Sequence, residues 1–186
     1  MLDLTEQQLS SDTAFEGSFL TLKRDVVRLP DGKEALREYF EHPGAVAVLA
    51  LNQAGELVLE RQYRYPVRRA FLEIPAGKID EHEPPAQTAR RELLEETGYR
   101  AESWRYLGSA YPCIGYSNEC IHYYFAEGLS QAGRQLDDGE FLDVLYLPLE
   151  QALAKTLSGE ICDSKTIVGL HWLQAHLDGR LAGEPA

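Results

Sequence analysis

The stretch GKIDEHEPPAQTARRELLEETGY, Gly77 to Tyr99, decides how the chain is read. Its second half predicts a helix: Pro84 and Pro85 suit a first turn, Ala86 to Glu96 are nearly all good helix formers, and Gly98 is a natural C-terminal stop. On that helix Glu92 and Glu96 lie one turn apart on one face, with Glu95 beside them, while Ala89 and Leu93 are expected to face the core. The carboxylates work against the helix. Like charges at i,i+4 cost about 0.2–0.5 kcal/mol per pair, and an anion in the last turn meets the negative end of the helix dipole at about 0.3–1 kcal/mol. A divalent cation would reverse the sign of both penalties. A solvated, glutamate-rich helix end would also tolerate costs this small, so the carboxylates alone leave both readings open.

Upstream, Phe71 to Pro75 reads as a strand running into this stretch, and before it Arg61, Arg64, Arg68 and Arg69 gather in an otherwise acidic chain. Such a cluster is either solvated surface balancing nearby carboxylates or a set of guanidiniums able to hold phosphate oxygens in bidentate fashion. Further back, AVAVLAL (Ala45 to Leu51) is a continuous apolar run of buried-strand type, Asn52 to Gly55 makes a turn, and Leu57 to Leu59 begins the returning strand. Pro43-Gly44 is a break. Before it, Phe15 to His42 holds two β-like runs around Pro30-Asp31-Gly32, which predict a hairpin, and residues 1 to 14 are polar and expected to be loosely held. A hairpin alone is marginal in water, so it must pack on the rest of the chain or on a second copy.

Downstream, Trp104 to Ala110 and Ile121 to Phe125 read as strands around the loop YPCIGYSNE (Tyr111 to Glu119). A second loop spans Ser130 to Glu140, Phe141 to Leu147 is another strand, Pro148 opens a helix, and Cys162 to Leu177 forms the last one. The alternation predicts an α/β protein, a mixed sheet between helices in an α/β/α sandwich, with a small N-terminal β element. The expected division is 1–43 for that element and 44–186 for the main domain.

Composition narrows the function. The 186 residues, 44% of them hydrophobic, suffice for one buried core plus an accessory element. A net charge of −12 argues against nonspecific nucleic-acid or anionic-membrane binding, because either needs a basic surface. It does not disfavour a phosphorylated substrate, since bound cations and a few placed arginines set the local potential. Cys113, Cys120 and Cys162 lack the spacing of a disulfide framework or a zinc site. No apolar stretch approaches membrane-spanning length and MLDLTEQQLS is not a leader, so a cytoplasmic setting is expected.

The spacing of Gly77, Glu83, Arg91, Glu92, Leu93, Glu95, Glu96 and Gly98 resembles the signature of the Nudix hydrolases. Tyr99 departs from it, at a position where the family usually carries an aliphatic residue. The resemblance implies the Nudix fold over about Pro43 to Leu177. It also implies hydrolysis of a pyrophosphate link with Mg2+, or Mn2+ in its place, held by Glu92 and Glu96, with Glu95 as a third or bridging ligand and the Ala76 carbonyl completing one metal site. All-oxygen donors without a His or Cys cluster fit that expectation. Arg91, at i−4 from Glu95, is expected to orient the carboxylates, and Glu83 is either a first-turn acid favoured by the dipole or a further support. His82 is expected to be exposed and inert.

Within the family, the N-terminal strands, QYRYP, LEIPAG and the loop IGYSNE resemble the ADP-ribose pyrophosphatase branch, although Ile114-Gly115 stands where relatives usually have Pro-Gly. That resemblance implies Arg64 and Glu73 at the substrate, Glu119 near the site, a base from the loop before Phe141, and dimerisation through the N-terminal strands. Asp137, Asp138 and Glu140 are the acids of that loop. Glu140 aligns best as the base, with Glu95 in reserve. Phe15, Phe19, Tyr39 and Phe40 are candidates to stack on adenine. The implied reaction cleaves ADP-ribose to AMP and ribose 5-phosphate. GDP-mannose or another nucleotide sugar, a dinucleotide such as NADH, and a non-catalytic ligand sensor are the alternatives.

Overall fold

The structure, a computed structural model, describes residues 2–136 and 139–186, in two compact units. The first takes in the chain to Pro43 together with Cys113–Glu119. It is built on an antiparallel sheet in the order β1 (Gln7–Glu16), β2 (Thr21–Arg28), β3 (Glu34–Glu41). The expected hairpin is β2–β3, pairing Leu22 with Phe40 and Val26 with Leu36, and its turn closes through Gly32 N–H on the Leu29 carbonyl at 2.9 Å. The expectation of a loose N-terminus fails for residues 7–14, which with Phe15 and Glu16 form a full strand against β2. All ten side chains of β1 are exposed, so no apolar alternation announces it. Backbone pairing holds it, helped by Gln8 Nε2 on Asp25 at 2.8 Å and by Arg37 on Glu6, whose Nε–Oε2 bond is 2.8 Å.

The second unit comprises Gly44–Pro112 and Cys120–Ala186. Its elements are β4 (Ala45–Ala50), β5 (Glu56–Arg64), β6 (Arg69–Glu73), β7 (Ala76–Lys78), α1 (Pro85–Thr97), β8 (Tyr99–Arg100), β9 (Ser103–Ala110), β10 (Ile121–Glu127), β11 (Ser130–Gln131), β12 (Leu142–Pro148), α2 (Leu149–Ser158), α3 (Ser164–Leu177) and β13 (Glu184–Pro185). A mixed sheet runs β13-β9-β10-β4-β7, in which only β10 and β4 are parallel. A second, antiparallel sheet runs β12-β5-β6. The returning strand after the Asn52 turn pairs with β4 only at the Leu51–Leu57 bridge, and β5 then crosses into this second sheet.

Strand β4 explains the layering. Val46 to Ala50 are fully buried because both faces are covered, which is why the run is continuously apolar. Ala47 and Leu49 pack with Leu170 and Leu173 of α3 and Ala152 of α2, whereas Val46, Val48 and Ala50 pack with Ala89 and Leu93 of α1. Val58 of β5 belongs to the α1 side as well.

Helix α1 begins and ends as its sequence predicts. Pro84 is the extended cap residue, Pro85 opens the first turn, and Gly98 adopts a left-handed φ of 76° with its N–H on the Leu94 carbonyl at 2.8 Å. Tyr99 takes part in packing: it contacts Tyr146 edge to face, and the two hydroxyls lie 3.0 Å apart. Asp163 caps α3 and also accepts from Thr166 Oγ1 at 2.7 Å, while that hydroxyl oxygen accepts the Ile74 N–H at 3.0 Å. The cap thereby fixes the strand end that leads into Gly77.

Candidate active site

Three backbone features converge on one polar region of the second unit. The buried side of α1 carries Glu92 and Glu96, β7 brings the backbone of Ala76 and Gly77 against them, and β5 turns polar after Val58. With a period of two, Glu60, Gln62 and Arg64 share a face of β5 with Val58 and so continue the α1-facing row.

Arg91 is the hub of the helix carboxylates. Its Nη2 donates to Glu83 Oε2 at 2.9 Å, and its Nη1 donates to Glu92 Oε1 at 2.8 Å and Glu95 Oε2 at 3.0 Å. Glu83 also accepts from Thr88 Oγ1 at 2.8 Å, so it supports the cluster, and its bond to Arg91 holds its pKa below the ordinary value. Glu92 behaves differently. Burial pushes its pKa up to about 7, against the pull of Arg91 and with added repulsion from Glu95 and Glu140. A Cβ on Gly77 would fall 1.9 Å from Glu92 Oε1, so the absence of a side chain there is what lets the carboxylate reach β7.

Glu96 is 4% exposed and accepts the Ala76 N–H on Oε2 at 2.9 Å. Burial, then Glu60 and Glu92, raise its pKa well above the usual carboxylate range. Glu60, 3% exposed, has no hydrogen-bond partner for Oε1 among the described residues, and burial followed by the Glu140 charge raises its pKa as well. Glu140 is held at Oε1 by Gln62 Nε2 at 3.1 Å.

On β6, Glu73 receives a bidentate pair from Arg64, Nε to Oε1 at 2.9 Å and Nη2 to Oε2 at 2.8 Å, and Lys165 Nζ bonds the same Oε2. Burial alone would raise the Glu73 pKa; Arg64 and Lys165 together overcome it and hold the carboxyl low. The Arg64 side chain remains about half exposed, with relative accessibility of 43%, which leaves guanidinium surface open to an anion.

Arg64, Glu73, Ala76, Arg91, Glu92, Glu95, Glu96 and Glu140 are thus brought into one region. The contact made by Ala76 is through its N–H. Asp137 and Asp138 lie outside the described residues. Glu119 belongs to the other unit, where its carboxylate stands 3.9 Å from His42 Nε2. Phe15, Phe19, Tyr39 and Phe40 belong to that unit too, the first two well exposed and Tyr39 donating to Asp25 at 3.4 Å. His82 is exposed, as expected, at 90% of its side chain.

Sequence reasoning missed Glu60, Gln62 and Lys165. Glu60 and Lys165 each left a faint local mark that does not by itself indicate a role: a glutamate directly after the buried run Leu57–Leu59, and a lysine in the first turn of a helix, where the dipole disfavours a cation; Gln62 left none.

The region fits a hard divalent cation. Its donors are oxygens, one buried carboxylate oxygen has no partner among the described residues, and burial first, then the neighbouring glutamates, raises the pKa values of Glu92, Glu96 and Glu60. Among the described residues no three acidic, histidine or cysteine side chains already form a closed cage.

Residues 41–165 match the model of the NUDIX domain, and residues 6–40 match that of the nucleoside diphosphate sugar hydrolase N-terminal domain. An ADP-ribose pyrophosphatase of Bacillus subtilis is 40% identical over 176 residues, 94% of this chain and 95% of the relative. A methanol dehydrogenase activator of Bacillus methanolicus is 41% identical over 171 residues, 91% and 92% of the two chains. A crystal structure of an ADP compounds hydrolase superposes with a TM-score of 0.84 at 21% identity, covering 96% of this chain and 97% of that one. The chain belongs to the Nudix hydrolases, its NUDIX domain preceded by the N-terminal domain of the nucleoside diphosphate sugar hydrolases.

Proposed function

We propose that the protein hydrolyses ADP-ribose to AMP and ribose 5-phosphate with Mg2+, Mn2+ serving in its place. The observation that carries the reading is the glutamate cluster of α1 set against the Arg64–Glu73 pair, oxygen donors for a cation beside a half-exposed guanidinium for a phosphate. The family generally uses a divalent metal, and the similarity to the Bacillus subtilis ADP-ribose pyrophosphatase favours this substrate among nucleoside diphosphate sugars.

In this reading Glu92 and Glu96, with Glu95 and the Ala76 carbonyl, hold the cation. When bound, it screens the phosphate charge and makes a coordinated water more acidic. Arg64, oriented by Glu73, binds a phosphate oxygen and aligns the substrate. Glu140, steadied by Gln62, accepts the proton of the attacking water, with Glu95 next in line for that role. The water oxygen bonds to one phosphorus as the bridging P–O bond breaks, giving the two monophosphates. Arg91 does not touch the substrate; it positions Glu92 and Glu95. The N-terminal strands join two copies into a homodimer.

The test is a panel of kcat/KM values for ADP-ribose, GDP-mannose and NADH with Mg2+, because selectivity is a difference in transition-state binding. ADP-ribose is expected to give the highest value, by about tenfold or more. A higher value for GDP-mannose or NADH would move the substrate assignment and leave the reaction class standing.

A further inference from the structure

Glu60 lies outside the Gly77–Tyr99 motif and has no part in the mechanism above, yet it is among the most buried charged residues of the molecule, at 3% exposure. Among the described residues its Oε1 has no hydrogen-bond partner. An orphaned carboxylate oxygen is costly in a protein interior, so its retention calls for a compensating group.

The protein's own cations do not supply one. The positive charges that act on Glu60 most strongly are those of Lys165 and Arg134. Lys165 bonds Glu73 and Asp163, the latter at 2.9 Å, and Arg134 Nη2 donates to the Leu142 carbonyl at 2.6 Å. Three neighbours of Glu60 are themselves acidic. Glu73 is its register partner on β6, Glu140 is tied to Gln62 on the same face of β5, and the Glu60 charge acts on Glu96 more strongly than any other charge does. Glu60 follows Val58 on the α1-facing row of β5 and is shut off from solvent.

We propose that Glu60 contributes an anionic oxygen to the divalent-cation site formed by Glu92 and Glu96, so that the site has a carboxylate from β5 as well as those of the motif helix. This rests on the cation-dependent reading of the α1 cluster. Glu60 then sets cation affinity, and its burial without a partner is the cost carried by the metal-free protein.

Mn2+ alone is the probe. Its dissociation constant is measured by the electron paramagnetic resonance of free Mn2+ for the parent, Glu60→Gln, Glu60→Val and Glu96→Gln, and each protein is also melted in chelator. Both Glu60 variants are expected to bind Mn2+ about tenfold or more weakly, while their melting temperatures in chelator stay level or rise, because a buried carboxyl with an unpartnered oxygen has been removed. Mn2+ affinity within twofold of the parent in both Glu60 variants, with binding lost in Glu96→Gln, would overturn the inference and leave the motif site intact. Melting temperatures that fall sharply in both variants would also overturn it, by making Glu60 a structural group. Unchanged Mn2+ binding in Glu96→Gln would instead remove the cation site on which the inference rests.

Discussion

Arg91 ties Glu83, Glu92 and Glu95 together through charged hydrogen bonds, a task that needs the planar fork of a guanidinium. Arg91→Lys keeps the charge and loses the span. It should lower kcat by about 10–100-fold with little change in KM, as expected for a residue that acts through others. Steady-state kinetics on ADP-ribose checks this, and a pure KM effect would make Arg91 a substrate contact. Glu92 offers a pH test. Its pKa is about 7 in the fold against 4.5 as the ordinary value, so the folded protein holds the extra proton between those limits and loses stability as pH rises through them. In chelator, the melting-temperature advantage of Glu92→Gln over the parent should be absent below about pH 4.5 and reach its plateau above about pH 7, worth about 1–3 kcal/mol. A flat difference across that range would contradict the burial of this carboxylate.

At the scale of elements, α1 is where sequence and structure agree best, because its proline start, glycine stop and apolar pair Ala89 and Leu93 are local signals. Leu93→Ala removes a fully buried side chain between α1 and β4 and should cost about 2–5 kcal/mol, read from chemical denaturation; a cost under about 1 kcal/mol would mean the helix is not anchored there. Where the signal is not local, the sequence is silent. Strand β1 has no buried face to produce alternation, and the crossing of β5 into the second sheet depends on partners eighty residues away in β12. The site divides along the same line. The residues spaced along the motif helix were legible, as were Arg64 and Glu140 by resemblance. Glu60 and Lys165 were not, because each gains meaning only from a neighbour brought by tertiary pairing, Glu60 beside Glu73 and Lys165 on Glu73 from the start of α3.

For the whole molecule, the first unit exposes Phe15 and Leu36 on its small sheet and Phe19 in the bend between β1 and β2, each 57–60% accessible. Light scattering should therefore give twice the chain mass at micromolar concentration, and a monomer would contradict the proposed homodimer. In the proposed function the protein, with a net charge of −12, draws a phosphorylated substrate through local cations, so function and metal should be lost together. The most direct test is release of AMP and ribose 5-phosphate from ADP-ribose by the parent and by Glu96→Gln, in Mg2+ and again with chelator. Chelator-sensitive release by the parent, and its near-abolition in a Glu96→Gln protein that still folds, is the predicted result. Turnover by Glu96→Gln equal to the parent, or turnover indifferent to chelator, would contradict the assignment of the α1 carboxylates to the cation.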